Sequence, residues 1–413
     1  MDTRNQYLQT LIKEHGYHLL PKGEKTKLLD EYCKNTKQNR KYVIHKIRNA
    51  SYLKSGKRLR KSYYDNYAKV ALIRCWDIFD RPSGQRLAPL LREEVDRLRR
   101  QKELLCPDMV AEKLKKISPR TIDEKLKRHK EKERLTRTRK AKVHPLLYQK
   151  IPIKIFAEQD RGSAGNIQID FVEHCGATTR GHYVNTLSTT DIAYGWWEGE
   201  AIMGSGKQRA QEAVDRVRGR YPFDWNEIHS DNGASFINGH LYNYTFKEGM
   251  DFSRSRPYQK NDNCLVEQKN WTHVKKHVGY LRYDTEEELA ILNDLYQNEL
   301  RLYKNFFQSV MKLVSKERVG GKIHRKYDKV KTPYRRVLEC DEVPKHIKYQ
   351  LTKTYESLNP AKLKRSIDYK LNLLWKAYEK KQPVSLKAQP NKKIKPRLVT
   401  SYIAQRESVW SPS

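Results

Sequence analysis

Ile167-Gln168-Ile169-Asp170-Phe171-Val172 is a run of β-formers interrupted by one acid. A carboxylate inside such a run is costly unless it is paired or bound to a cation. A second acid closes another run, Glu227-Ile228-His229-Ser230-Asp231-Asn232-Gly233, and the Asn-Gly pair turns the chain directly after it. A third, Glu267, lies in Arg256-Pro257-Tyr258-Gln259-Lys260-Asn261-Asp262-Asn263-Cys264-Leu265-Val266-Glu267-Gln268-Lys269. Between the aspartates stand 60 residues, and between Asp231 and Glu267 stand 35. Any one of these acids alone reads more readily as a solvated loop or surface residue. The three together, each in its own local context, carry the argument.

Working outward, strand-like runs cover 166–174, 182–189 and 194–203, with a hairpin turn at 175–181. A helix pattern at 208–220 follows, and a short strand then delivers Asp231. Val274, Val278 and Leu281 stand at i, i+4 and i+7, so a helix bearing Glu267 has an apolar stripe with which to pack on the sheet. Strands first, then alternating helix and strand, then the Glu267 helix predict a ribonuclease H-like mixed α/β core. Such a core brings a mid-strand Asp, a strand-end Asp and a helical Glu to one sheet edge.

The order Asp, Asp-Asn-Gly, then Glu after 35 residues resembles the catalytic core of retroviral integrases and DDE transposases. The Lys-Asn-Asp-Asn before Glu267 and the Gln-Lys-Asn after it resemble bacterial insertion-sequence transposases with an integrase-type core. The likeness covers roughly 150–315, and more weakly the flanks. It implies Asp170, Asp231 and Glu267 as catalytic residues and metal ligands, with two Mg²⁺ or Mn²⁺ ions per active site. The two aspartates would share both ions and Glu267 would hold one. The physical reason is that DNA phosphoryl transfer develops charge on attacking and leaving oxygens, which two cations about 4 Å apart stabilise together. Carboxylate oxygens suit these hard ions rather than zinc. The implied activity is 3′-end cleavage of a mobile element followed by strand transfer into target DNA. Two rivals stay open: a ribonuclease H-like nuclease that only hydrolyses, and a non-catalytic DNA-binding regulator descended from a transposase.

Composition agrees with a polyanionic partner. The 413 residues carry a formal charge of +35, with 37% hydrophobic and 32% charged residues. Lys and Arg gain affinity by releasing counterions from phosphate backbones. No apolar run approaches the ~18 residues of a spanning helix, and the start of the chain lacks the apolar core of a signal peptide, so no membrane partner is expected. Six scattered cysteines form no Cys-x-x-Cys, which fits a reducing cytoplasm, with nucleoid association following from DNA binding. The pairs His15/His18 and His273/His277 lack an evident third ligand, and a solvated or DNA-facing helix face is the expected reading for the second pair. The His-His-Cys-Cys zinc domain that precedes retroviral integrase cores is missing here.

The flanks read as helical and basic. Helix patterns at 23–33 and 37–48, joined by a turn at Asn35-Thr36, resemble a helix-turn-helix whose second helix offers Arg40, Lys41, Lys46 and Arg48 to DNA. An ordinary basic helical hairpin fits the same residues. After a basic linker at 51–62, helix patterns at 68–79 and 86–105 flank a loop at 80–84. A second pair of short helices spans 109–116 and 118–129, with Ser118 as N-cap and Pro119 in the first turn. It offers Arg120, Lys125, Lys127 and Arg128, and residues 111–142 hold 14 Lys/Arg against 5 Asp/Glu. Around Glu267, Lys260, Lys269, Lys275 and Lys276 are expected to hold phosphates. A helix with Asp284 as N-cap runs to 307, 316–336 reads as a basic Gly-rich loop, helices follow at 343–355 and 361–378, and 380–413 forms a basic tail. The expected domains are therefore helix-turn-helix units at 1–55 and 63–142, the catalytic core at 150–315 and a mainly helical basic C-terminal region at 316–413. The expected partner is double-stranded DNA, meaning terminal inverted repeats and target. A homo-oligomer, at least a dimer, is expected on that DNA, because one chain offers one carboxylate set and insertion joins two ends.

Overall fold

The computed structural model describes residues 3–50, 63–131, 151–154, 158–256 and 262–381. The linker at 51–62, the connector at 132–150, Lys260 and the tail from 382 lie outside the described residues. The chain divides into two compact units, Met1–Asp65 and Asn66–Ser413.

Among its described residues the first unit holds three α-helices, α1 (Thr3–Glu14), α2 (Lys22–Thr36) and α3 (Arg40–Arg48), and a short 3-10 turn at Tyr17–Leu19. Their apolar faces close one small core of Leu8, Leu11, Ile12, Leu29, Tyr32, Val43 and Ile47. Tyr7 stacks on Tyr32 at 5.4 Å. The turn between α2 and α3 falls later than Asn35-Thr36: α2 continues through Thr36, and Lys37 leaves it with φ 52°. Asn39 then caps α3 by accepting from the Lys41 amide at 3.0 Å. Such a cap contributes roughly 1 kcal/mol.

In the second unit, α4 (Asn66–Ile78), α5 (Gly84–Arg100), α6 (Asp108–Lys116) and α7 (Pro119–Glu131) precede the sheet. Ser118 caps α7, its hydroxyl accepting from the Thr121 amide at 3.2 Å. Polar contacts join these helices to the rest of the unit: Tyr303 donates to the Ile78 carbonyl at 2.5 Å and Gln308 to the Phe79 carbonyl at 2.8 Å.

The sheet has five strands, β1 (Asn166–Glu173), β2 (Val184–Asp191), β3 (Trp197–Met203), β4 (Glu227–Ser230) and β5 (Asp251–Arg254), in the order β3-β2-β1-β4-β5. β1, β2 and β3 are antiparallel neighbours, while β4 lies parallel to β1, and β5 to β4. Helix α8 (Lys207–Arg218) joins β3 to β4, and α9 (Gly239–Lys247) joins β4 to β5. Both faces are covered, since β2 is buried at every position. This central mixed sheet with flanking helices fits a ribonuclease H-like core.

After β5 comes a helical run of α10 (Cys264–Lys269), a π-helical turn at Asn270–Lys275 and α11 (Lys276–Val278). Val274 and Val278 are buried on this run as their spacing predicts, whereas Leu281, also buried, lies beyond its end at Gly279 and not on the expected helical stripe. The next run is α12 (Glu286–Asp294), a second π-helical turn and α13 (Arg301–Phe307). Its cap is Thr285 rather than Asp284: Thr285 and Glu288 form a reciprocal capping box, which Asp284 one position earlier cannot make. The segment expected as a loop at 316–336 instead opens with a hairpin, β6 (Leu313–Val319) and β7 (Lys322–Tyr327). Helices α14 (Pro333–Leu338), α15 (Lys345–Ser357) and α16 (Pro360–Lys380) complete the unit.

Candidate active site

β1 sits at the centre of the sheet, and its sequence fixes three things at once. Ile167 and Ile169 are fully buried and anchor the strand. Gln168 is also buried, and its side-chain carbonyl accepts from the amides of Leu265 and Val266, both at 3.1 Å. These amides lie in the first turn of α10, so Gln168 satisfies helix donors that lack intrahelical partners. Asn263 donates to the Ile169 carbonyl at 3.1 Å. One turn past Glu267, Asn270 donates to Asp170 Oδ2 at 2.6 Å. The helix bearing Glu267 is thus bonded to β1 at three successive residues, 168, 169 and 170.

Asp231 approaches from the other side. β1 and β4 run parallel with Ile169 opposite Ser230 as their last pair, so Asp170 and Asp231 occupy the next positions on neighbouring strands. Asp231 Oδ1 accepts from the Gly233 amide at 3.0 Å. A Cβ at Gly233 would meet that oxygen at 3.0 Å, which explains the glycine after Asp-Asn. Asn232 is held by the Ser255 carbonyl at 2.9 Å and by Arg254 at 3.1 Å. Phe171 stacks on Phe236 at 4.7 Å and fastens the segment after Asp231 to β1.

Burial, and then the neighbouring Glu173, push the Asp231 carboxyl above its ordinary value. Asp170 and Asp231 are half-buried and Glu267 is exposed. Three carboxylates and no sulfur or imidazole make a donor set suited to a hard divalent cation. Among the described residues, however, no three His, Cys, Asp or Glu side chains are gathered closely enough to hold a metal ion. The donor types suit the cation, while their closure around it is not formed here.

The basic residues expected on DNA divide into two groups. Arg40, Lys41, Arg48, Arg120, Lys127 and Arg128 are exposed, and Lys125 and Lys275 are half-buried. Arg40 pairs with Asp30 at 3.1 Å and Arg120 with Glu124 at 3.0 Å, both open to solvent. Three residues are corrected. Lys46 is buried, its ammonium 5.7 Å from the Tyr42 ring centroid, because α3 turns that side inward. Lys269 is buried beside His273 Nε2 at 3.4 Å, and burial lowers its pKa to about 7. Lys276 bonds Asp80 at 2.6 Å within the second unit. His273 and His277 are likewise buried, not on a solvated face.

Three side chains that act on these charged groups escaped the sequence reading. Asn270 stands three residues after Glu267 on one helix, so spacing alone had the signal. Glu173 lies outside the Asp–Asp–Glu pattern. Asp80 sits in a left-handed bend with φ 60° and gathers Lys276 at 2.6 Å, Lys304 at 3.7 Å and His277 at 3.9 Å. No local sequence feature marks it, since all three partners lie about 200 residues away.

No protein-family model matches the chain. The uncharacterised protein y4rM of Sinorhizobium fredii is 30% identical over 327 residues, covering 79% of this chain and 93% of that protein. The crystal structure of the catalytic core domain of BIV integrase is similar at a TM-score of 0.28 and 17% identity, covering 46% of this chain and 100% of that one. The HTLV-2 integrase catalytic core domain, solved in complex with magnesium in a dimeric form, gives 0.27 and 14%, covering 36% and 90%. Strand order and register, not these overlaps, carry the fold.

Proposed function

This chain belongs to the same family as y4rM of Sinorhizobium fredii, and we propose that it is a DNA transposase, cutting the 3′ ends of a mobile element and joining them to target DNA. The observation that supports this reading is the register of β1 and β4. It sets Asp170 and Asp231 side by side at one sheet edge, with the Glu267 helix bonded to the same strand through Gln168, Ile169 and Asp170.

Asp170, Asp231 and Glu267 would hold Mg²⁺ or Mn²⁺, two ions per site, supplying charge neutralisation at the attacking and leaving oxygens. Asn270 orients the Asp170 carboxylate by its donated bond. Gly233 keeps the Asp231 carboxylate turned toward its own loop amide. Gln168 and Asn263 hold the first turn of α10, fixing where Glu267 starts. Burial and Glu173 disfavour ionised Asp231, so a cation beside it is what restores the charged form. The basic residues of α3 and α7 bind element ends, at least two chains act together on DNA, and the setting is the cytoplasmic nucleoid.

The test uses the purified full chain with Mg²⁺ or Mn²⁺, duplexes copied from the DNA flanking its gene, and a target plasmid. Cleaved ends joined to the plasmid are the expected product. Hydrolysis without joining would favour a nuclease, and binding without either reaction a regulator.

A further inference from the structure

Among the described residues nothing covers either side of the ribbon formed by β6 and β7. β7 is exposed at all six positions and β6 at five of seven. Its strands are closed by the two-residue loop Gly320-Gly321, with Gly320 at φ +58°, a conformation suited to tight hairpins. Its root is fixed. Val310 and Lys331 exchange bonds at 2.8 and 3.3 Å, the Lys312 amide donates to Asp328 at 2.7 Å, and Asp328 pairs with Arg336 at 2.6 Å.

The register sorts the side chains. Lys316 stands directly opposite Arg325, and Arg318 stands opposite Ile323 on the same face. Like charges placed directly opposite disfavour a strand pair, and an uncovered two-stranded ribbon is marginal in water. Elsewhere in this unit many surface cations have acids beside them, such as Arg218 with Glu248 at 2.7 Å. Among the described residues Lys316, Arg318 and Arg325 have none. From 313 to 327 the chain holds five Lys/Arg and one Glu. A polyanion relieves this repulsion, and the major groove of duplex DNA admits a two-stranded ribbon.

We infer that β6–β7 is a DNA-docking ribbon whose Lys316, Arg318 and Arg325 face takes the phosphates of a duplex. This deepens the reading above, and rests on it only in taking duplex DNA as the polyanion.

The test measures binding of the full chain, carrying Asp170→Asn to prevent chemistry, to a random-sequence duplex across salt concentrations. Adding Lys316→Thr, Arg318→Thr and Arg325→Thr removes three phosphate contacts. Between 50 and 200 mM salt the unaltered ribbon is expected to lose about 40-fold more affinity than this variant. A control with Lys207→Thr, Lys247→Thr and Lys362→Thr removes equal charge from exposed positions and is expected to keep the steeper slope. Equal slopes for ribbon variant and parent overturn the inference, as does an unchanged slope with altered sedimentation, which would assign the ribbon to a second copy. Should the variant misfold, lysine acetylation of the unaltered chain decides: DNA protects Lys316 and leaves Lys207 reactive, and an unprotected Lys316 overturns it. Strand transfer by the wild-type chain is scored separately, so a failed ribbon and a failed transposase reading give different results.

Discussion

Asp80 and Asp231 are both largely enclosed aspartates, and the second unit treats them in opposite ways. Burial raises the Asp80 carboxyl, but Lys276, Lys304 and His277 outweigh it and hold the group below its ordinary value. Burial also raises Asp231, and there the charge of another acid, Glu173, raises it further. One carboxylate is supplied with cations by the fold. Among the described residues the other has no cation paired with it, and its carboxylate accepts from a loop amide at 3.0 Å. A buried acid that serves the structure brings its counter-ions with it. On the proposed reading, an acid at a sheet edge with no such counter-ion among the described residues is arranged for a cation from outside.

The largest expected break between the two lies in activity. Asp170→Asn and Glu267→Gln should each lower strand transfer by about a thousandfold, since several kcal/mol of charge stabilisation goes with a lost ligand. DNA affinity, supplied by basic residues elsewhere, should hold. A rate near wild type in either variant would take that residue out of the site.

Stability should break the other way. Asp80→Asn strands Lys304, whose side chain is 2% exposed, without its countercharge. Removing one partner of a buried pair costs about 3–5 kcal/mol, which a urea midpoint would register. An unchanged midpoint would mean the cluster adds nothing.

The pH dependence sharpens the contrast, because the two signs differ. Asp80 has its folded value below the usual 3.8, so its stabilisation is present above that pH and is lost as pH falls. Asp231 has its folded value above 3.8, so its contribution is lost as pH rises through that shifted value. Lys304 is lowered to about 7 by burial, with Asp80 opposing. Unfolding then takes up a proton between about 7 and 10, so stability should rise with pH across that window. Lys304→Met should flatten this rise in urea titrations at pH 7 and 9, and a slope unaltered by it would assign the rise to other groups.

Smallest are the surface cations of the first unit. Replacing exposed Arg40, Lys41 or Arg48 singly should lower the salt slope of DNA binding by about 1 each. Lys46, which is buried, should instead act on folding. Equal salt effects from Lys46 and Lys41 would contradict this division.

How much of this was legible in the sequence follows from where each signal resides. The strands around Asp170 were readable as short runs of β-formers, and Val274 and Val278 because they stand one helical turn apart. Gly320-Gly321 was a visible turn, yet Lys316, Arg318, Arg325 and Lys326 gave the hairpin no apolar face, so alternation could not mark it as strand. Lys269 and Lys276 read as phosphate-holding because both stand near Glu267 in sequence. Packing buries Lys269, and half-buried Lys276 pairs with Asp80, 196 residues away. Helix α1 was submerged in a general helical impression, although Leu8, Leu11 and Ile12 have its spacing.

On the proposed reading Asp231 is held for a cation and not for the fold. Asp231→Asn is measured for strand transfer and for urea stability in the same preparation at pH 7. Joining is expected to be lost while stability is unchanged or raised, because a neutral amide removes an ionisation that the fold disfavours. Joining at the wild-type rate, or a loss of stability like that expected for Asp80→Asn, would contradict it.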